Sequence, residues 1–135
     1  MAKPGDEIPS WTMERVTAER MRTVAAILRD PNPVHWDRDY VAARGAGPRT
    51  INQSPINVSY VANMLMAWAG PGSIRRLRVG FPGAVFEEET VVARGVVHAI
   101  EREGSETFAE CEVWLEKTDG TRAVEGSARV ALPSE

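Results

Sequence analysis

The fifteen residues Pro55 to Ala69 constrain the fold of this chain more than any other stretch. Ile56, Val58, Tyr60, Val61, Ala62, Met64, Leu65, Met66 and Trp68 crowd into them. Wound as an α-helix, these positions surround nearly the whole axis, and a helix apolar on almost every side must be buried on almost every side. Ser54 suits the N-cap and Pro55 the first helical position, while Gly70-Pro71-Gly72 stops the helix. It is too short to cross a bilayer, which takes about 18–20 apolar residues.

Everything after this helix reads as strand. Ile74 to Phe81, Thr90 to Ile100, Thr107 to Lys117 and Thr121 to Leu132 are four extended segments, with turns at Arg102 to Ser105 and at Asp119-Gly120. In the third, Ala109, Cys111, Val113 and Leu115 alternate with Glu110, Glu112 and Glu116, so the sheet has one wet face. In the fourth, Val124, Ala128, Val130 and Leu132 point inward. An antiparallel sheet curling around one long helix is the packing solution, an α+β domain over residues 1–135. One sheet cannot shield so apolar a helix alone. A second subunit is therefore expected, as a homodimer or a heteromer.

Ahead of the helix, residues 1–9 are a polar lead-in, Trp11 to Val16 a short strand, and Ala18 to Arg29 a helix capped by Thr17, with Met21, Val24, Ala25 and Leu28 as its apolar stripe. A second short helix runs from Arg38 to Arg44 and ends at Gly45-Ala46-Gly47-Pro48. Between them lies Asp30-Pro31-Asn32-Pro33-Val34-His35-Trp36-Asp37. The prolines hold Asp30 and Asn32 extended and exclude a helical turn. A stiff loop bearing a carboxylate and a histidine can hold one water between two proton-handling groups. The plain alternative is a connection in which Asp-Pro and Asn-Pro are turn signals and Asp37 caps the next helix.

Composition removes other functions. With 16 basic and 19 acidic residues the net charge is −3, unlike the strongly basic face of a nucleic-acid binder. Arg75, Arg76 and Arg78 form a local basic cluster, either a solvated strand face or a contact for a phosphate-bearing ligand. The one cysteine, Cys111, sits in the alternating strand as a buried thiol and permits no intrachain disulfide. His35 and His98, with one cysteine, are too few for a zinc site, and no metal or redox cofactor is expected. Neither an apolar signal core nor a spanning segment appears, so a cytoplasmic location without membrane association is expected.

The Asp-x-Asn-Pro-x-His pattern, present as Asp30, Asn32, Pro33 and His35 and followed by Trp36-Asp37, resembles the signature of the MaoC-type enoyl-CoA hydratases, which have the hotdog fold. The likeness covers roughly Thr17 to Leu132. The element order agrees, and Phe81-Pro82-Gly83 through Val91-Val92-Ala93-Arg94-Gly95 is similar to a further segment of that family. Trp68-Ala69-Gly70-Pro71 resembles the small hotdog subunit of bacterial steroid side-chain hydratases, which works beside a different hotdog partner. The resemblance implies reversible addition of water across a trans-2-enoyl-CoA thioester, with Asp30 and His35 activating the water. It leaves open which of the two is acid and which base. It further implies an oxyanion contact from a backbone N–H at the start of the buried helix, with Ser54, Asn32 and Asn57 near the substrate and Arg75, Arg76 and Arg78 as candidate CoA contacts. Here the chain departs from the pattern. Gln53-Ser54 stands where the family commonly has His-Gly, and Pro55 has no N–H to donate.

Two rivals share the fold. A hotdog thioesterase resembles its relatives in placing a carboxylate on the central helix, and Pro55 to Ala69 contains none. A non-catalytic subunit shaping the acyl tunnel of a heteromer would have no need of both Asp30 and His35.

Overall fold

The computed structural model describes residues 1–134. Its elements are β1 (Glu7–Met13), α1 (Ala18–Leu28), a 3-10 turn (Pro33–His35), α2 (Arg38–Ala43), α3 (Ser54–Ala69), β2 (Ile74–Gly80), β3 (Val91–Glu103), β4 (Glu106–Lys117) and β5 (Arg122–Ala131). The strands form one antiparallel five-stranded sheet in the order β1-β3-β4-β5-β2. α3 packs against all five of them, which is the expected α+β arrangement.

The core lies between α3 and the sheet. Val61, Met64 and Leu65 from the helix meet Val91, Ala93, Val97, Val113, Leu115, Val124 and Val130 from the strands. Trp11 stacks on Tyr60 with centroids 5.5 Å apart. Gly95 permits close packing of β1 and α3 on the sheet, since a Cβ there would stand 2.9 Å from Ile8 Cδ1 and 3.2 Å from Met64 Cε. The other side of α3 is less covered. Val58, Ala62 and Met66 stay half-exposed, so within one chain the helix is wrapped on one face only.

The outer face of the sheet is an ion-pair lattice. Arg129 reaches Glu101, Glu103 and Glu110, and Arg122 reaches Glu112 and Glu125. Their guanidinium groups lie over the Phe108 and Trp114 rings, 4.4 and 4.3 Å from the centroids.

Several expectations need correcting. The first strand begins at Glu7, inside the expected lead-in. Pro9 is tolerated because β1 is an edge strand and its pairing with β3 shifts register between Ile8 and Trp11. Leu28 is exposed, because α1 ends there. Gln53, not Ser54, is the N-cap of α3, and its side chain makes no capping bond. The signature loop does hold a helical turn. The prolines restrict the residues before them, and Pro33 itself suits the first position of the turn. β3 and β4 run on through the expected turn and leave only Gly104-Ser105 between them. Thr17 caps α1 as expected, accepting from the Arg20 N–H, and Asp37 caps α2, as the plain reading of the loop has it, accepting from the Tyr40 N–H.

Candidate functional site

The chain delivers Asp30 through the end of α1. Arg29 adopts the left-handed conformation, with φ at 51°, and the Asp30 N–H donates to the Ala25 carbonyl at 2.9 Å. Asp30 Oδ1 then accepts the Asn32 N–H at 3.0 Å, and Asn32 Oδ1 accepts the Val34 N–H at 3.3 Å. These two short loops aim the carboxylate and open the turn that carries His35. They also define the place of Asn32, whose side-chain oxygen holds backbone.

Asp30 and His35 meet, with Oδ2 of the carboxylate 3.3 Å from Nε2 of the imidazole. The side chain of His35 is 12% exposed and that of Asp30 34%, so the pair is reachable from one side. The far nitrogen, Nδ1, lies 2.7 Å from the Ile51 carbonyl oxygen. A carbonyl only accepts, so Nδ1 carries the proton. In the neutral ring, Nε2 is then a bare lone pair facing a carboxylate. Two acceptors this close are suited to a water that donates to both, and an imidazolium formed at Nε2 would find its counter-ion in place.

The segment Thr50 to Gln53 supports this pair and is buried apart from Ile51, which is half-buried. The Ile51 N–H donates to the Val34 carbonyl at 2.9 Å, and the Asn52 N–H to that of Val85 at 2.7 Å. Asn52 Nδ2 donates to Asn57 Oδ1 at 2.8 Å and points at the Tyr60 hydroxyl at 3.4 Å. Burial pushes the Tyr60 phenol up from its ordinary pKa. Asn57 is therefore a buried partner of Asn52, one turn into α3. Gln53 Nε2 donates inward to the Met21 carbonyl at 2.8 Å.

At the start of α3, Gln53 O accepts the Ile56 and Asn57 N–H groups, at 3.0 and 3.1 Å, and Pro55 has none. The Ser54 N–H remains as the donor at this positive helix end.

Sequence reasoning missed two groups. One is the Ile51 carbonyl, which no side-chain pattern could reveal. The other is Glu87, fully buried within the acidic run Glu87-Glu88-Glu89, which reads as solvated surface. Its carboxylate receives Arg38 Nε and Nη2 at 2.8 and 2.7 Å and the Thr50 N–H at 3.0 Å. The Arg38 hydrogen bonds, opposed by burial and helped by the Thr50 N–H, hold its carboxyl down at about 2.

The arginine cluster is not brought to the pair. Arg75, Arg76 and Arg78 are exposed along β2, where Arg75 reaches Glu106 at 3.4 Å and Arg76 reaches Glu110 at 2.8 Å. The cavity of about 740 Å³ that Arg75 lines lies by Trp68, Thr107 and Leu132, at the far end of α3. His98 is exposed on β3. Cys111 is buried, which pushes its thiol up to about 11, with Glu110 adding to the effect. No group of residues that could hold a metal occurs among the described residues, and no described helix is long and apolar enough to cross a membrane.

Residues 2–118 match the family model of the MaoC like domain. No curated protein sequence matches the chain. Solved structures do. The (R)-hydratase from A. caviae involved in PHA biosynthesis superposes with a TM-score of 0.84 at 28% identity, over 98% of each chain. The R-hydratase PhaJ1 from Pseudomonas aeruginosa gives 0.82 at 20% identity, over 99% of this chain and 84% of that one. A chain of the ChsH1-ChsH2 complex from Mycobacterium tuberculosis gives 0.81 at 22% identity, over 98% of this chain and 100% of that one. The shared architecture is the hotdog fold.

Proposed function

The chain belongs to the MaoC-like domain family, and on that premise we propose that it is a hydratase/dehydratase adding water reversibly to a trans-2-enoyl-CoA thioester. The observation that carries this reading is the convergence of Asp30 Oδ2 and His35 Nε2, the ring nitrogen left free when Nδ1 donates to the Ile51 carbonyl. A water bridging them has its oxygen lone pairs free to attack C3. As the C–O bond forms, Nε2 takes one proton, the C2=C3 electrons move through C1 onto the thioester oxygen, and Asp30 stabilises the imidazolium. Return of that proton to C2 collapses the enolate to the 3-hydroxyacyl thioester and restores both groups. The Ser54 N–H, at the positive end of α3, is the donor for the enolate oxygen. The scheme uses no metal and no redox cofactor.

Asn32 and Asn57 act in this reading by shaping the loop and the helix start. Arg75, Arg76 and Arg78 are exposed on β2 and are proposed as contacts for the CoA phosphates, within the chain or across an assembly. The half-open face of α3 supports such an assembly, with a second copy or a different hotdog chain, and the likeness to a chain of a two-protein complex supports the latter. The thioesterase alternative gains nothing, since α3 carries no carboxylate.

The test is hydration of short, long and steroid-like trans-2-enoyl-CoA thioesters, followed as loss of the conjugated-thioester absorbance, with Asp30→Asn and His35→Ala alongside. Activity on some member of the panel that collapses in both variants upholds the reading. Turnover unchanged in either folded variant, or hydrolysis to free CoA in place of hydration, overturns it.

A further inference from the structure

We infer that Glu87, gripped by Arg38, is a positioning residue for His35 that fixes which imidazole nitrogen carries the proton. The inference rests on the reading of His35 as the base.

Two tethers leave His35, and both end on the Glu87 carboxylate. The first runs through backbone. His35 Nδ1 donates to the Ile51 carbonyl at 2.7 Å, and the neighbouring Thr50 is clasped to Glu87 twice. The Thr50 N–H donates to Glu87 Oε1 at 3.0 Å, and the Glu87 N–H donates to the Thr50 carbonyl at 2.9 Å. An antiparallel bridge between Ile51 and Phe86 continues the same clasp. The second tether runs along the chain from His35 to Arg38, in the first turn of α2, whose guanidinium closes on both Glu87 oxygens. The Ile51 carbonyl can select the Nδ1–H tautomer only while its place relative to the ring is held, and Glu87 holds both sides of that distance.

The chemistry of the carboxylate matters as well as its shape. Glu87 accepts three N–H groups and donates none through its side chain. A glutamine of the same size presents an NH₂ to Arg38 or to Thr50, two donors face one another, and one of the tethers opens. Loss of the tether frees the ring to place its proton on either nitrogen. A ring protonated at Nε2 cannot take a proton from water.

The experiment reads the tautomer directly. The chain has only two histidines, so in a His98→Gln background the imidazole ¹⁵N–¹H correlations come from His35 alone. The background protein is expected to show a single Nδ1–H neutral tautomer. Glu87→Gln should show a mixture of tautomers, with kcat for enoyl-thioester hydration lowered about tenfold or more and KM changed less than twofold. Arg38→Gln, at a side chain 59% exposed, serves as the second variant should Glu87→Gln fail to fold, and should show the same mixing to a smaller degree. Retention of a single Nδ1–H tautomer in either folded variant overturns the inference. The reading of His35 as base fails separately, by normal turnover of His35→Ala, which leaves the tautomer result standing on its own.

Discussion

Gly126 on β5 backs directly onto the Arg78 carbonyl of β2, so close that a Cβ at residue 126 would lie 1.9 Å from that oxygen. The neighbouring contact is backbone and cannot swing away. Gly126→Ala should therefore separate β2 from β5 and cost about 3 kcal/mol, the upper end of overpacking, read as a lower denaturant midpoint. Gly95→Ala is the control. Two of its three crowding atoms are side-chain ends, Ile8 Cδ1 and Met64 Cε, and its cost should be about 1 kcal/mol. Equal midpoints for the two variants would contradict this account.

On the proposed mechanism, replacing Asp30 or His35 should separate activity from folding. Asp30→Asn keeps an oxygen for the Asn32 N–H and loses the charge. His35→Ala loses the proposed base and leaves the Ile51 carbonyl without its ring partner. Each should lower kcat by roughly 10²–10⁴-fold, the scale of a general acid–base, with the melting temperature of Asp30→Asn within a few degrees of the parent.

Much of the fold and of the candidate pair is legible in the amino-acid sequence. Helix α3 stands out because its apolar residues leave no wet side, and the strands because Ala109 to Val113 alternate between apolar and acidic. The loop is legible because Asp30 and His35 sit together in a frame stiffened by two prolines. What stays hidden is what depends on distant chain. Glu87 has partners 37 and 49 positions away, and nothing local separates it from Glu88 and Glu89. The cap of α3 is misplaced on local grounds because Ser54 has the better capping chemistry, while tertiary contact decides the matter by turning Gln53 toward Met21.

Arg29 is a non-glycine residue in the left-handed region, at φ 51°, where a Cβ is penalised by about 1–2 kcal/mol. Arg29→Gly removes that penalty and adds some unfolded-state entropy. The net should be a gain of about 0.5 kcal/mol, measured as a raised denaturant midpoint with turnover unchanged. A drop in stability would mean that the arginine side chain contributes more than its backbone costs.

Acid should weaken the protein through Glu87. Its carboxyl titrates near 4.5 in the unfolded chain and at about 2 in the folded one. A depressed folded pKa means that the contribution is present in full above about pH 4.5 and is lost as pH falls towards 2. The whole shift corresponds to about 3 kcal/mol at most, and the exposure of Arg38 to solvent reduces it to about 1–2 kcal/mol. Chemical denaturation between about pH 5.5 and 2.5 should show this loss in the parent and a shallower slope in Glu87→Gln.

Cys111 should be silent towards thiol reagents. Its thiol is buried and titrates at about 11, so at about pH 8 almost none is thiolate. Maleimide labelling of the folded protein should be negligible over hours and complete within minutes in denaturant. Rapid labelling without denaturant would show that β4 opens.

The sheet order has a consequence in time. β1 leaves the ribosome well before its partner β3, with residue 7 opposite residue 96. At roughly 5–20 residues per second, Glu7–Met13 waits on the order of ten seconds before the backbone it pairs with has been made. Through that interval Ile8 and Trp11 have no sheet to join, and α3 emerges with only β1, through Trp11 on Tyr60, to cover it. The helix that organises the finished fold is thus the segment of the nascent chain in greatest need of shelter.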